Sequence, residues 1–421
     1  MINLHTNKMD VNPEKAVKVR LCDNFEQLEP IQQKWDDFVE LAGGDIFLTY
    51  DWCRIWWKYY GGGRRLQVSL FFDDKDKLVG IIPLFFERIW LGPVFVRAAK
   101  IVSSDFTGDQ ITIPVLSDYI KPVLQRFFES LAGEKWDILH IGPIAGLYGH
   151  YDNLKDALIR SFGSSNYVLS KLNGNQTYVK LSESLEKQID SLSKNQRRTI
   201  KRSYKDLLQV ACDKKLPFIS NLATLDNFEE IFVGFVQMHQ SHWQKLGKLG
   251  HFADWPDAHN FHFETAKVQL QKNRLRLLQI RLGDCPLGYE YDYKFGNLYY
   301  AILNARADIE QLPYLDHSIN IGTILYEEQV KNATKENVNY IDMMQGKDEY
   351  KLRLGGKLFP IRGLYIIPRR LPVMIRVFIF RILAGLLNIV YHKIWFRRVT
   401  LWLKLKPRPL WKIWIRTQFC L

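Results

Sequence analysis

The stretch "PLGYEYDYKFG" (residues 286–296) alternates acid and phenol. As a strand it would set Glu290 and Asp292 on one face and Tyr289, Tyr291 and Tyr293 on the other. Two carboxylates side by side suit proton transfer, because one of them, or a water it holds, can deprotonate a nucleophile. The same pattern also reads as a solvent-facing ladder. "YIDMMQGKDEYKLRLG" (340–355) brings Asp342, Gly346, Tyr350 and Lys351 close together where a short apolar strand ends. Open sheets usually keep their chemistry at such strand ends. In "HSINIGTILYEEQ" (317–329), Gly322 would leave backbone N–H groups approachable at a helix start, and Ser318 and Thr323 could donate from their hydroxyls. A plain helix start capped by Ser318 is the simpler alternative. "SKNQRRTIKRSYKDL" (193–207) holds Lys194, Arg197, Arg198, Lys201, Arg202 and Lys205, a charge run that either steers an anionic ligand or faces solvent. "MHQSHWQKLGKLGHF" (238–252) places His239 and Trp243 four residues apart, on one helix face. They read as a pocket wall or as a packed core pair. No carboxylate or cysteine completes a metal set around them. The sequence contains no Ser-His-Asp order, G-x-S-x-G elbow, Walker loop or kinase signature. Cys285 beside Pro286 is a poor nucleophile.

These residues must be positioned by a large α/β body. The chain has 421 residues with 47% hydrophobic content, enough for two domains with sizeable cores. "LQVSLFFDDKDKLVGIIPLFFERI" and "LRLLQIRLGDCPLGYEYDYKFGNLYYAILNA" are meanders about 208 residues apart, with Gly80 matching Gly288. Each is followed by an amphipathic helix and a further strand, and Asp137 is matched to Asp342. The pattern implies two copies of one module with mixed sheets. Polar turns near 165–180 divide them. The expected units are 18–172, 173–368 and a tail, 369–421.

The net charge of +13 hides an asymmetry. Sixteen of the 58 Lys and Arg lie after Glu349, where there is no Asp or Glu; the remainder holds 42 basic against 45 acidic residues. A basic balance confined to an apolar tail points to an anionic membrane surface more than to nucleic acid. The tail's longest uncharged run, Ile382 to His392, has 11 residues, too short to span a bilayer. Arg370, Arg381, Asn388 and His392 fall on one helical stripe, with Phe378, Leu383, Leu386 and Leu387 elsewhere around it. The tail is therefore expected to lie in the interface, with Trp395, Trp402, Trp411 and Trp414 at headgroup depth. A helix packed on the body, or one binding a partner, is the alternative. Five scattered cysteines without CxxC spacing fit a reducing compartment and no zinc site. The first residues lack the apolar core of an export signal. The protein is thus expected in the cytoplasm, peripheral on the inner face of the plasma membrane.

The order of "SKNQRRTIKRSYKDL", "MHQSHWQKLGKLGHF", the meander, "SINIGTILYEEQVKN" and "YIDMMQGKDEYKLRLG" resembles the CelD/BcsL-type acyltransferases of cellulose and exopolysaccharide synthesis. These belong to the GNAT superfamily and share a tandem layout with the FemABX peptidyltransferases. The resemblance covers roughly residues 18–365. It implies two tandem GNAT-like modules, with acyl-CoA, acetyl-CoA first among candidates, as co-substrate and no metal. In that fold two parallel strands splay apart, the pantetheine inserts between them, and the following helix points its N-terminus at the pyrophosphate. The splayed strands would be "NLYYAILNA" and "VNYIDMMQG". Ser318, Gly322, Thr323, Asp342 and Gly346 would then hold the donor, while Arg197, Arg198, His239 and Trp243 would line the acceptor side. Glu290 would act as base. Tyr350 would contact the thioester or leaving thiolate, and Lys351 a phosphate or the acyl carbonyl. The acceptor would be an amine or hydroxyl on a sugar or lipid-linked saccharide. The resemblance leaves two alternatives open. One is an aminoacyl-tRNA-dependent transferase; the other is a non-catalytic membrane-bound partner of a polysaccharide synthase.

Overall fold

The computed structural model describes residues 15–106, 110–147, 150–248, 250–308, 312, 315, 318–403 and 410–420. The apolar runs form β-strands because turn residues bound each of them. They are β1 (Lys18–Cys22), β2 (Arg65–Phe72), β3 (Leu78–Leu91), β4 (Val94–Ile101), β5 (Ile138–Ala145), β6 (Asn166–Lys180), β7 (Phe218–Leu222), β8 (Leu275–Leu282), β9 (Cys285–Phe295), β10 (Leu298–Arg306), β11 (Tyr340–Gln345) and β12 (Lys357–Pro368). They join one mixed sheet in the order β1-β2-β3-β4-β5-β12-β6-β11-β10-β9-β8-β7. The pairs β4–β5 and β10–β11 are parallel, and each is paired over three residues. The fold is the expected mixed α/β architecture, with two strand modules in one mixed sheet and a C-terminal helix.

Register makes the internal repeat explicit. Lys100 is the last rung of the first parallel pair and lies opposite Phe85; Tyr300 holds the same place in the second and lies opposite Tyr293. Gly80 and Gly288 stand equally far before those partners. They also do the same job. A Cβ at Gly80 would meet Val123 at 3.2 Å, and one at Gly288 would meet Leu325 at 2.8 Å, so each glycine lets the crossover helix sit against its strand. The match of Asp137 to Asp342 fails. His140 is the residue that pairs Lys100, so His140 is the counterpart of Asp342, while Asp137 precedes the strand and binds Arg97 and Arg376. An apolar-strand pattern carries no register, which explains the slip.

The two modules are interlocked. β12 inserts between β5 and β6, and β6 runs unbroken through residues 172 and 173. Helix Gln32–Leu41 buries Asp36, whose carboxylate accepts from Lys272 at 2.9 Å and Arg274 at 2.7 Å of the other half. Trp52 packs edge-on against Phe261 and Tyr293, and Phe47 against Tyr300. These large rings join one continuous core across both halves.

The tail packs more than the sequence implies. Helix Leu371–Leu387 continues as a π-helical segment, Asn388–Val399. Its inner stripe, Val373, Val377, Phe380 and Ala384, covers Ile89, Val96, Ala98, Ile138, Tyr365 and Ile367. Asn388 accepts from the Trp414 indole at 3.0 Å, and His392 stacks on that ring, so these two residues face protein. Trp411 and Trp414 are buried in the same stack, whereas Trp402 is exposed. The 11-residue uncharged run also understates the helix. Leu371–Val399 spans 29 residues and contains an 18-residue stretch long and apolar enough to cross a bilayer by composition alone.

Candidate active site

The strongest chemistry gathers where β10 and β11 part. They pair at Leu298–Tyr340, Tyr299–Ile341 and Tyr300–Asp342, and then separate. β10 stays with β9 as far as Arg306, whereas β11 shifts register onto β6, reaching Gln345 opposite Gln176. Met344 at φ 60° and Gly346 at φ 127° make that turn away. Asp342 fixes the branch point. It is fully buried and accepts from the Gln110 and Gln176 amides, both at 2.7 Å, and from the Met344 N–H at 2.8 Å. These donors engage both carboxylate oxygens, so Asp342 shapes the cleft. Gly346 accepts from Thr177 Oγ1 at 2.6 Å through its carbonyl and closes the same turn.

The first module has the same fork, but its own chain fills it. Ile111 N–H donates to the Pro143 carbonyl within β5, Ile81 N–H to Pro114, and Leu116 N–H to Val79.

The helix that follows β10 is Ile321–Lys335, and its cap is Asn320, not Ser318. The Asn320 side chain accepts from Thr323 N–H at 3.2 Å. Thr323 Oγ1 turns back to the Asn320 carbonyl at 2.8 Å, and Ser318 Oγ donates to Asp206 at 3.3 Å. Both hydroxyls are therefore engaged within the protein. Gly322 remains in the first turn, and a Cβ there would lie 2.9 Å from Arg306 Nη1. The guanidinium of Arg306 thus lies over the first helical turn. A cation, approachable backbone amides and the positive end of the helix together make an anion site. Arg306 forms no ion pair among the described residues. The sequence reading missed it; the available signal was a basic residue ending the first splayed strand opposite Gly288.

Glu290 and Asp292 lie on the face toward this helix and are both buried. Gln329 donates to Asp292 Oδ2 at 2.7 Å, while Asp292 Oδ1 has no partner among the described residues. Burial lifts Asp292 to about 7. Burial first, then the neighbouring Asp292, pushes Glu290 well above the usual carboxylate range, with Arg306 opposing. A solvent-facing ladder is ruled out. Tyr350 belongs to the same electrostatic group although it is 45% exposed: partial desolvation raises its phenol, with Glu290 and Asp348 adding and Arg306 opposing. A carboxyl tuned upward suits a general base, and a protonated phenol suits a general acid.

The remaining expected residues divide. Lys351 is buried and donates to the Gln345 carbonyl at 2.9 Å, with Asp348 3.4 Å away, so it ties the end of β11. His239 is buried with both ring nitrogens engaged. The Trp243 indole, which can only donate, gives its proton to Nε2 at 3.0 Å, so Nδ1–H donates to the Asn304 carbonyl at 3.0 Å. Burial lowers the basicity of His239. The pair braces β10 beside the fork. Arg197 donates to the Asp190 carbonyl, and Arg198 is exposed on helix Lys194–Lys214. A separate surface groove of about 540 Å³ lies by the tyrosine face, lined by Glu229, Glu230, Gln237, Arg281, Asp284 and Tyr289. It includes none of the expected site residues. Among the described residues no group of three or more His, Cys, Asp or Glu could hold a metal ion.

An acetyltransferase (GNAT) domain matches residues 194–352. No curated protein matches the chain. Among solved structures, FemX is similar with a TM-score of 0.59 at 11% identity, covering 82% of this chain and 98% of that one. A protein of unknown function from Bacteroides thetaiotaomicron gives 0.49 at 10%, covering 84% and 100%. A tandem GNAT protein of the clavulanic acid pathway gives 0.39 at 11%, covering 83% and 98%. Residues 194–352 thus match a GNAT acetyltransferase domain, and this match supports an acyltransferase.

Proposed function

We propose that the fork between β10 and β11 binds acyl-CoA, acetyl-CoA first among candidates, and that its acyl group passes to an amine or hydroxyl on a sugar or lipid-linked saccharide. The observation that carries this reading is the early end of β10–β11 pairing beside a helix start overlaid by Arg306. The pantetheine would lie in the gap and pair with the free strand edge. The pyrophosphate would meet Arg306 and the amides near Gly322. The acceptor nucleophile would add to the thioester carbonyl while Glu290 takes its proton. As the C–S bond breaks, Tyr350 would protonate the departing thiolate. Lodging the donor beside a buried carboxyl supplies proximity, and no covalent enzyme intermediate is required.

A second reading has its own observation. Lys194, Arg198, Lys201, Arg202 and Lys205 are exposed along one helix, which suits an aminoacyl-tRNA donor. The test is release of free CoA thiol from acetyl- and longer acyl-CoAs in the presence of amino sugars and lipid-linked saccharides. Acceptor-dependent release, lost in Tyr350→Phe, is expected. No turnover with any acyl-CoA, together with tight, salt-sensitive tRNA binding, would replace the first reading with the second.

A further inference from the structure

We propose that the outer face of the 371–399 helix seats this protein on an anionic bilayer as an in-plane helix that does not cross it. The proposal stands apart from the acyl-transfer reading and would survive its failure. The helix has two faces with different fates. The inner one is fastened to the sheet: Val377, Phe380 and Ala384 are buried against β4, β5 and β12, and Arg376 donates to the fully buried Asp137 at 2.9 Å. Crossing a bilayer would tear this face away and leave Asp137 with one cation fewer in a dry site. The outer face is apolar and uncovered. Ile375, Phe378, Ile382, Leu386, Ile389 and Val390 follow helical spacing on one side, with Phe378 66% and Val390 59% exposed. So contiguous an apolar stripe marks a docking surface.

The charge around the stripe identifies the occupant. Arg381, Lys393, Arg397 and Arg398 are exposed along the same helix, and no acid occurs anywhere after Glu349. A protein partner or a second copy would have to bury this stripe against a surface that also neutralises its cations. This chain's own tail offers no acid to do so. An anionic bilayer supplies both halves, with hydrocarbon for the stripe and headgroup charge for its rim.

The test is flotation of the full chain with vesicles of phosphatidylcholine alone or containing about one third phosphatidylglycerol. Binding to the anionic vesicles is expected, and extraction at alkaline pH should release the protein. The triple variant Phe378→Asp, Ile382→Asp, Leu386→Asp should lose binding by roughly tenfold per site, while its melting temperature holds because these side chains touch solvent. Neutralising Arg381, Lys393 and Arg397 to Gln should cost several-fold each and remove the preference for anionic lipid. Resistance to alkaline extraction would overturn the in-plane assignment. Equal binding by wild type and the aspartate triple, or a wild-type dimer broken by that triple without vesicle binding, would overturn the bilayer as occupant.

Discussion

Glu290, Asp292, Tyr350 and Arg306 act on one another, so their roles are testable as a group. Glu290 is displaced upward by burial and by Asp292. As a base it works deprotonated, so the rate should climb with pH through its raised value. Glu290→Gln should remove that limb and lower kcat by about 10²–10⁴-fold. Tyr350→Phe should lower kcat on a similar scale with KM for the donor little changed. An unaltered pH profile in Glu290→Gln would assign the base elsewhere. At this scale the sequence was partly legible. Strand alternation placed Glu290 and Asp292 on one face without ambiguity. Residue type alone could not show that Thr323, Ser318 and Lys351 turn their polar atoms back to the protein, because those partners come from the fold. Arg306 was hidden for the converse reason: its role appears only when the helix start arrives beside it.

The forked strands are an element-scale device, and their ends are held by specific bonds. Lys351 supplies a donor to the last carbonyl of β11 from a buried position. Lys351→Met should keep the aliphatic packing but orphan that carbonyl, costing about 1–3 kcal/mol of stability. Thermal unfolding reads this directly. A large fall in kcat with unchanged stability would instead restore Lys351 to the chemistry. The strands "NLYYAILNA" and "VNYIDMMQG" were legible as elements because each is an apolar run closed by turn residues. Their parting was expected only through the family resemblance. The shift between Asp342 and Gln345 is a bulge that no alternation pattern encodes.

Across the whole molecule, buried neutral histidines make the fold sensitive to acid. Burial lowers His140 and His251 from 6.5 to about 3, and His262 well below its ordinary value. The unfolded chain therefore binds more protons than the folded one below pH 6.5, so stability falls as pH drops from 6.5 toward 3. Each such histidine contributes up to about 1.4 kcal/mol per pH unit. His140 stacks on Tyr365 at 4.7 Å, and neither ring nitrogen has a partner among the described residues. His140→Phe should keep the stack and flatten the decline in melting temperature between pH 7 and pH 5. An identical decline would show that His140 does not report on folding. Composition revealed the tail's charge asymmetry, but only the fold shows that its inner stripe is docked and its two last tryptophans are buried.

The most direct test of the donor fork is calorimetric titration of acetyl-CoA and longer acyl-CoAs into wild type and Arg306→Ala. Wild type should bind, and Arg306→Ala should bind about tenfold or more weakly, the scale of one charge-assisted contact to phosphate. Absence of binding by every acyl-CoA, or equal affinity in both proteins, would contradict the placement of the donor between β10 and β11.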